Sequence, residues 1–283
     1  MTRASQRGFT LIELVITIVV GSIVVAFMAM FVVIPMTAYS AQTRRAQLVD
    51  DADSALRFMG RDLRSALPNS VRVTSSNTVI EFLATIDGAR YVDGAPLTNA
   101  ALALDFTQLD GAFSTSVPFT RPLPWSSPSA YLAIYNVGVP GADAYESPSR
   151  VMTGPSAISI VAGATANQNL VTFSPTFQFG YESPGKRVYL VSGPVSYVCD
   201  SAAGTLTRYS GYSISSTQPA DAATLVANGA TASLVAADVG SCTFTYTPGT
   251  SAQRDALTTL TLQLTQSGES VQLLYEVQLV NSP

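Results

Sequence analysis

The chain has 283 residues, 47% of them hydrophobic and only 12% charged, with a net charge of −4 and no histidine. A chain of this length can bury a substantial core, while its acidic balance leaves no basic footprint for nucleic acid. The lack of histidine excludes every mechanism that needs an imidazole base or metal ligand.

Residues 1–8 are a short opening whose only charges are Arg3 and Arg7. From Phe9 to Ile34 the residues are apolar or small, broken by a single charge, Glu13, and closed by Pro35. As a helix this run would be about 39 Å long, enough to cross a hydrocarbon core of about 30 Å with some tilt. It far exceeds the apolar stretch of about 7–15 residues in an ordinary cleaved signal. An acidic side chain in a membrane helix costs up to about 3 kcal/mol at the centre and less near the end, so Glu13 calls for a function. A cut after Gly8 would create an amine at Phe9, four residues before Glu13 and on the same helical face. The alternative is an interfacial glutamate tolerated in an uncleaved anchor.

Arg7-Gly8-Phe9-Thr10-Leu11-Ile12-Glu13-Leu14 resembles the cleavage and methylation motif of type IV pilins and type II secretion pseudopilins. The resemblance covers the segment up to Pro35. It implies cutting between Gly8 and Phe9 by a prepilin peptidase, N-methylation of Phe9, and assembly through Glu13, which would meet the N-terminal amine of a neighbouring subunit. Implied partners are the peptidase/methylase, other minor and major pilins, membrane lipid and an inner-membrane assembly platform. The implied fold is α+β, a long N-terminal helix packed on an antiparallel β-rich domain. Its parts would be a leader (1–8), a membrane or filament-core helix (9–34), an amphipathic continuation (35–67) and a periplasmic β-rich domain (68–283). The protein would cross the bacterial inner membrane once before entering a pilus. Charge alone does not orient it, since Arg3 and Arg7 are balanced by Arg44 and Arg45 beyond the other end.

After Pro35, Leu48, Ala52, Ala55, Leu56, Met59, Leu63 and Leu67 recur at helical spacing and form one apolar stripe. Asp50, Asp53, Arg57, Arg61 and Arg64 fall opposite, and Pro68-Asn69 predicts the stop. Gly21 and Pro35 are the weak points of the rod. Downstream, Val79 to Ile86 predicts a strand, Asp87-Gly88 a tight turn and Ala89 to Val92 the returning strand. Further strands are expected at Leu102 to Phe106, Tyr131 to Tyr135, Ile158 to Val161 and Leu170 to Phe173. The proline-rich stretch 114–156 predicts loops, whose Trp125, Tyr131, Tyr135 and Tyr145 either face a partner or pin the loop to the sheet.

In the C-terminal third, Arg187 to Leu190, Val195 to Cys199, Leu206 to Tyr212, Cys242 to Thr247, Leu257 to Thr265 and Val271 to Val280 predict strands of a β-meander, with Ser267-Gly268 at its last turn. Cys199 and Cys242 favour a disulfide within that meander over two buried thiols, which suits an oxidising compartment. Such a bond would stabilise the fold by about 4 kcal/mol in the chain-entropy model. The segments Val191-Ser-Gly-Pro-Val-Ser-Tyr-Val-Cys199-Asp and Gly204-Thr-Leu-Thr-Arg208-Tyr-Ser-Gly-Tyr212 resemble the MshO-type minor pilins of MSHA pili. J-type pseudopilins and W-type minor pilins share the same plan.

No catalytic constellation emerges. The only lysine, Lys186, stands three residues after Ser183, and that single Ser-x-x-Lys falls in a Pro-Gly turn with no further catalytic motif around it. Asp87, Asp93, Asp105 and Asp110 lack the ligand spacing of a calcium loop and fit solvated turns better; no phosphate cradle or zinc motif is present. The expectation is therefore a non-enzymatic minor pilin without cofactor that helps initiate or cap an MSHA-like pilus. The alternatives are a J-type pseudopilin of a type II secretion system and an uncleaved membrane-anchored adhesin or hydrolase.

Overall fold

The computed structural model describes residues 8–92, 94, 102–249 and 255–282, with backbone alone over 32–35. Its first feature is a helix formed by α1 (Leu11–Met28), a π turn (Ala29–Val33) and α2 (Ile34–Arg64), together 54 residues long. The Thr17 and Ser22 hydroxyls donate to the Leu14 and Val19 carbonyls, each at 2.8 Å, so these polar groups are satisfied within an otherwise apolar helix. Pro35 does not close the helix. Proline is tolerated in the first turn of a helix, where its missing N–H has no partner to lose, and the π turn just before it takes up the break in the bond ladder. Gly21 passes without interruption.

The helix ends at Arg64, with Arg61 and Arg64 placed where cations favour the carbonyl end of the dipole. Ser65 N–H then bonds Asp62 O at 2.9 Å and Ala66 N–H bonds Leu63 O at 3.0 Å, tightening the last turn before Leu67 N–H joins Leu83 O at 2.7 Å. The strands are β1 (Arg72–Val73), β2 (Val79–Tyr91), β3 (Asp110–Val117), β4 (Trp125–Ala133), β5 (Ser156–Ala162), β6 (Asn169–Phe177), β7 (Arg187–Asp200), β8 (Thr205–Ser210), β9 (Thr231–Ala236), β10 (Val239–Thr247), β11 (Asp255–Gln266) and β12 (Glu269–Val280), with a short helix α3 (Ala222–Ala227) before β9.

These strands build a nine-stranded sheet, β1-β2-β3-β6-β5-β4-β7-β8-β9, and a three-stranded sheet, β10-β11-β12. Because β2 and β7 also pair with each other, β2-β3-β6-β5-β4-β7 closes on itself as a six-stranded antiparallel barrel. Tyr91, Phe113, Leu132, Ile160, Phe173 and Leu190 fill it. Strands β3 to β6 all fall between β2 and β7 in the sequence, so the barrel is an insertion entered along β2 and left along β7. The other ends of these two strands, Val79–Ala84 and Gly193–Val198, pair beside α2. There a second core joins Leu48, Ala52, Leu56, Met59 and Leu63 of the helix to Phe82, Tyr197, Phe244, Leu260, Leu262 and Val277. The helix lies close on β12 because Gly60 has no side chain: a Cβ there would sit 2.5 Å from the Tyr275 ring.

Several sequence expectations change. Asp87-Gly88 is not a turn. Strand β2 runs through it with a bulge near Thr85, Gly88 pairs with Tyr189, and the return strand is the distant β7. A hairpin turn of the Asp-Gly type needs positive φ at both central residues, and neither residue has it. Leu102 to Phe106 is extended but makes only isolated bonds, Leu104 N–H to Val92 O at 2.9 Å and Ser114 N–H to Leu102 O at 2.7 Å, too few for a ladder. The 114–156 stretch holds the end of β3 and all of β4, in which Pro128 sits at the register shift between Ser127 and Ala130, where a strand can lack a donor. The Arg187–Leu190 and Val195–Cys199 segments are one strand. The disulfide does not lie within the meander either: it joins β7 of the large sheet to β10 of the small one, with Cα atoms 6.1 Å apart.

Candidate functional site

At the N-terminus the residue types dictate the local geometry. The first N–H groups of a helix have no intrahelical partner, and Thr10, in extended backbone with φ −83° and ψ 152°, caps them. Its hydroxyl accepts from Glu13 N–H at 3.3 Å, and the Glu13 carboxylate reaches back to Thr10 N–H at 3.3 Å and to the Thr10 hydroxyl at 3.2 Å. This reciprocal pair is a capping box, and it puts a negative charge at the positive end of the helix dipole. Glu13 therefore has an internal partner before any assembly. The geometry corrects one expectation: Phe9 lies outside the helix, so an amine there would stand next to the cap rather than one turn below Glu13 on a helical face. Phe9 is 75% exposed, and Gly8 beside it has no atom within 4 Å of a built Cβ. The leader residues 1–7 lie outside the described residues. Thr10 was the functional residue that the sequence reasoning missed, although Thr-x-x-Glu before an apolar run is the signal for such a box.

No residue of α1 is buried. The helix is long and apolar enough to cross a membrane, with mean hydropathy 2.8 over its best window. Beyond it, α2 is tied to the domain by polar bonds as well as by packing. Asp62 accepts from Tyr197 Oη and from Arg208 Nε, both at 2.7 Å, and burial together with the Asp62 bond holds the Tyr197 hydroxyl far above the usual phenol range. A second cluster surrounds Glu81, which is fully buried. Arg72 Nε donates to it at 2.6 Å and Tyr212 Oη at 2.9 Å. Burial raises the Glu81 pKa above the ordinary carboxylate value, against the lowering pull of Arg72 and Tyr212. The remaining Arg72 nitrogens donate to Ser216 O at 2.9 Å and Ser215 O at 2.7 Å, and its guanidinium lies 3.6 Å from the Tyr145 ring centre. Every partner of this cluster holds a loop against the sheet.

Three of the acidic residues singled out in the sequence accept backbone N–H groups. Asp87 takes Thr120 N–H at 2.8 Å and Arg121 N–H at 3.0 Å; Asp110 takes Asp105 N–H at 2.6 Å; Asp105 takes Thr107 N–H at 2.8 Å. Asp93 lies outside the described residues. Among the described residues no group of three or more His, Cys, Asp or Glu could hold a metal ion. Of the loop aromatics, Tyr145 is buried with Oη on Ser70 O at 3.0 Å, Tyr135 packs on Tyr181 with ring centres 5.8 Å apart, and Trp125 opens β4 beneath Arg121. All three pin segments of the domain.

The family described as the prokaryotic N-terminal methylation motif matches residues 3–29. No curated protein and no solved structure matches the chain. The matched segment holds Gly8, Phe9, Thr10 and Glu13 together with the apolar α1, and the chain therefore carries the N-terminal signal of a type IV prepilin-like protein.

Proposed function

We propose that this chain is a minor pilin or pseudopilin, a structural rather than catalytic subunit that helps initiate or cap an MSHA-like type IV pilus. A prepilin peptidase cuts after Gly8 and the new terminus at Phe9 is N-methylated. The observation that carries the reading is the capped Glu13 at the head of an apolar helix with no buried residue, within a matched methylation motif. In the membrane the carboxylate is held by Thr10. In a filament it exchanges that bond for the amine of a neighbouring subunit, so that an ion pair replaces a bond from the carboxylate to a neutral donor. The Cys199–Cys242 bond supports a domain on the oxidising side of the inner membrane, and the barrel adds bulk that favours low-copy placement.

Intact-mass measurement tests the cut: the protein should lose residues 1–8 and gain one methyl group in cells with the peptidase, and keep residues 1–8 in cells without it. Retention in both would end the proposal. Glu13→Ala should leave the cut intact and lower incorporation into filaments, whereas a bulky residue at Gly8 should block the cut. Isolating the filament that contains the chain separates a pilus from a secretion-system filament.

A further inference from the structure

The two sheets have four terminal strands; β1 and β10 adjoin each other, where Phe244 N–H bonds Asn77 O, which leaves β9 in the large sheet and β12 in the small one as edges without a strand beside them among the described residues. An open edge presents a row of unpaired N–H and C=O groups, which proteins usually blunt with charge, proline or cover. Strand β9, Thr-Ala-Ser-Leu-Val-Ala, has no charge and no proline, and its Leu234 is 64% exposed. A groove of about 360 Å³ beside it is lined by Ser54, Ala55 and Phe58 of α2 and by Ser233, Leu234 and Val235. Strand β12 lacks proline and exposes Leu274 and Val280, and its charges are confined to Glu269 at its start and Glu276.

The two edges flank α2 on opposite sides, with Phe58 facing β9 and Gly60 facing Tyr275 of β12. Their directions are opposed. Strand β12 runs with α2, from Glu269 at Arg45 to Tyr275 at Arg64. Strand β2 also runs with α2, from Ile80, whose β7 partner Tyr197 bonds Asp62, to Leu83, which bonds Leu67 beyond the helix end, and the antiparallel steps β2–β7–β8–β9 turn β9 against it. Two copies standing side by side with parallel helices therefore offer β9 and β12 to each other as an antiparallel pair. We infer that β9 of one copy takes the β12 edge of a second copy as an added strand, a head-to-tail contact that joins a short run of adjoining copies rather than closing a dimer. The inference rests on the filament-subunit reading, which supplies the parallel helices, and it sets the copy number at two or more in adjacent positions.

The test uses two differently tagged full-length copies in cells that carry the peptidase and form filaments. One copy carries Ser233→Cys and the other Gln278→Cys, both exposed positions, joined by a short bis-maleimide. A product bearing both tags should exceed that of the control pair Ser233→Cys with Val161→Cys on the barrel by about tenfold, through the raised effective concentration of adjoining thiols. Adding Leu234→Lys to the Ser233→Cys copy should return the product to the control level, while an unchanged Cys199–Cys242 bond reports an intact fold. A product no greater than the control, or one insensitive to Leu234→Lys, with residues 1–8 removed and filaments present, overturns the strand pairing alone. Retention of residues 1–8 overturns the filament reading and the pairing with it.

Discussion

The two halves of the long helix have opposite relations to the rest of the chain. Over Leu11–Met28 no side chain is buried, whereas Leu48, Ala52, Leu56, Met59 and Leu63 farther along the same rod are at most 3% exposed. The helix hydrogen bonds are the same in both halves, so the difference lies in what covers the apolar surface. The distal half is covered by its own sheets. The proximal half must find cover outside the chain, in lipid or in neighbouring helices, and burial of a large apolar side chain is worth about 1.5–3 kcal/mol wherever the cover comes from. One half is thus a stability element and the other an association element.

That division can be broken by mutation. The largest effect on unfolding should come from Cys199→Ser with Cys242→Ser: the bond spans 43 residues, and its loss should cost about 4 kcal/mol because the three-stranded sheet loses its covalent tie to β7. Met59→Ala, in the distal half, should cost about 3 kcal/mol, read as a lower denaturant midpoint of the detergent-solubilised chain. Thr258→Val should instead raise stability by about 1 kcal/mol, since the Thr258 hydroxyl is buried with no partner among the described residues. Ile16→Ala, in the proximal half, should leave the midpoint of the domain unchanged and lower recovery of the chain in sedimented filaments. If Ile16→Ala lowers the midpoint as Met59→Ala does, the division is wrong.

How much was legible in the sequence follows from the range of the interactions. The helix was legible because its period is local: Leu48 to Leu63 gave the buried stripe residue by residue. Strands β11 and β12 were legible because a short turn at Ser267-Gly268, with φ 50° and 82°, joins two clean alternations. Val79 to Ile86 was legible as a strand, but β2 was cut short at Asp87-Gly88 because its partner is β7, far along the chain, and because Val79–Leu83 are buried on both faces, so no alternation marks the face. The barrel was invisible for the same reason: closure is a property of which strands pair, and no local pattern records it. Strand β9 and α3 fell in a stretch that carried its own signals, Asp221 capping Thr224 N–H at 2.7 Å and Gly229 with φ 82° at the exit. At the site, Gly8, Phe9 and Glu13 were legible as a processing motif. The bond between Thr10 and Glu13 was masked, because its local signal, Thr-x-x-Glu before an apolar run, overlaps the processing motif that accounts for the same glutamate.

The route by which the chain enters and leaves the barrel has a further consequence. Residues Ala84 and Gly193 pair on β2 and β7, so the chain enters and leaves the barrel at one pair of adjacent strands, and Tyr145 Oη on Ser70 O and Asn136 Nδ2 on Pro68 O tie the inserted stretch to the segment after the helix. A short turn joining those two positions would keep the β2–β7 hairpin beside the helix but would uncover Arg72, which loses the Tyr145 ring. The fold is thus a carrier with a seated cassette: the barrel strands meet the carrier at one hairpin, and the Tyr145 loop is the seat that a change in the lobe must keep.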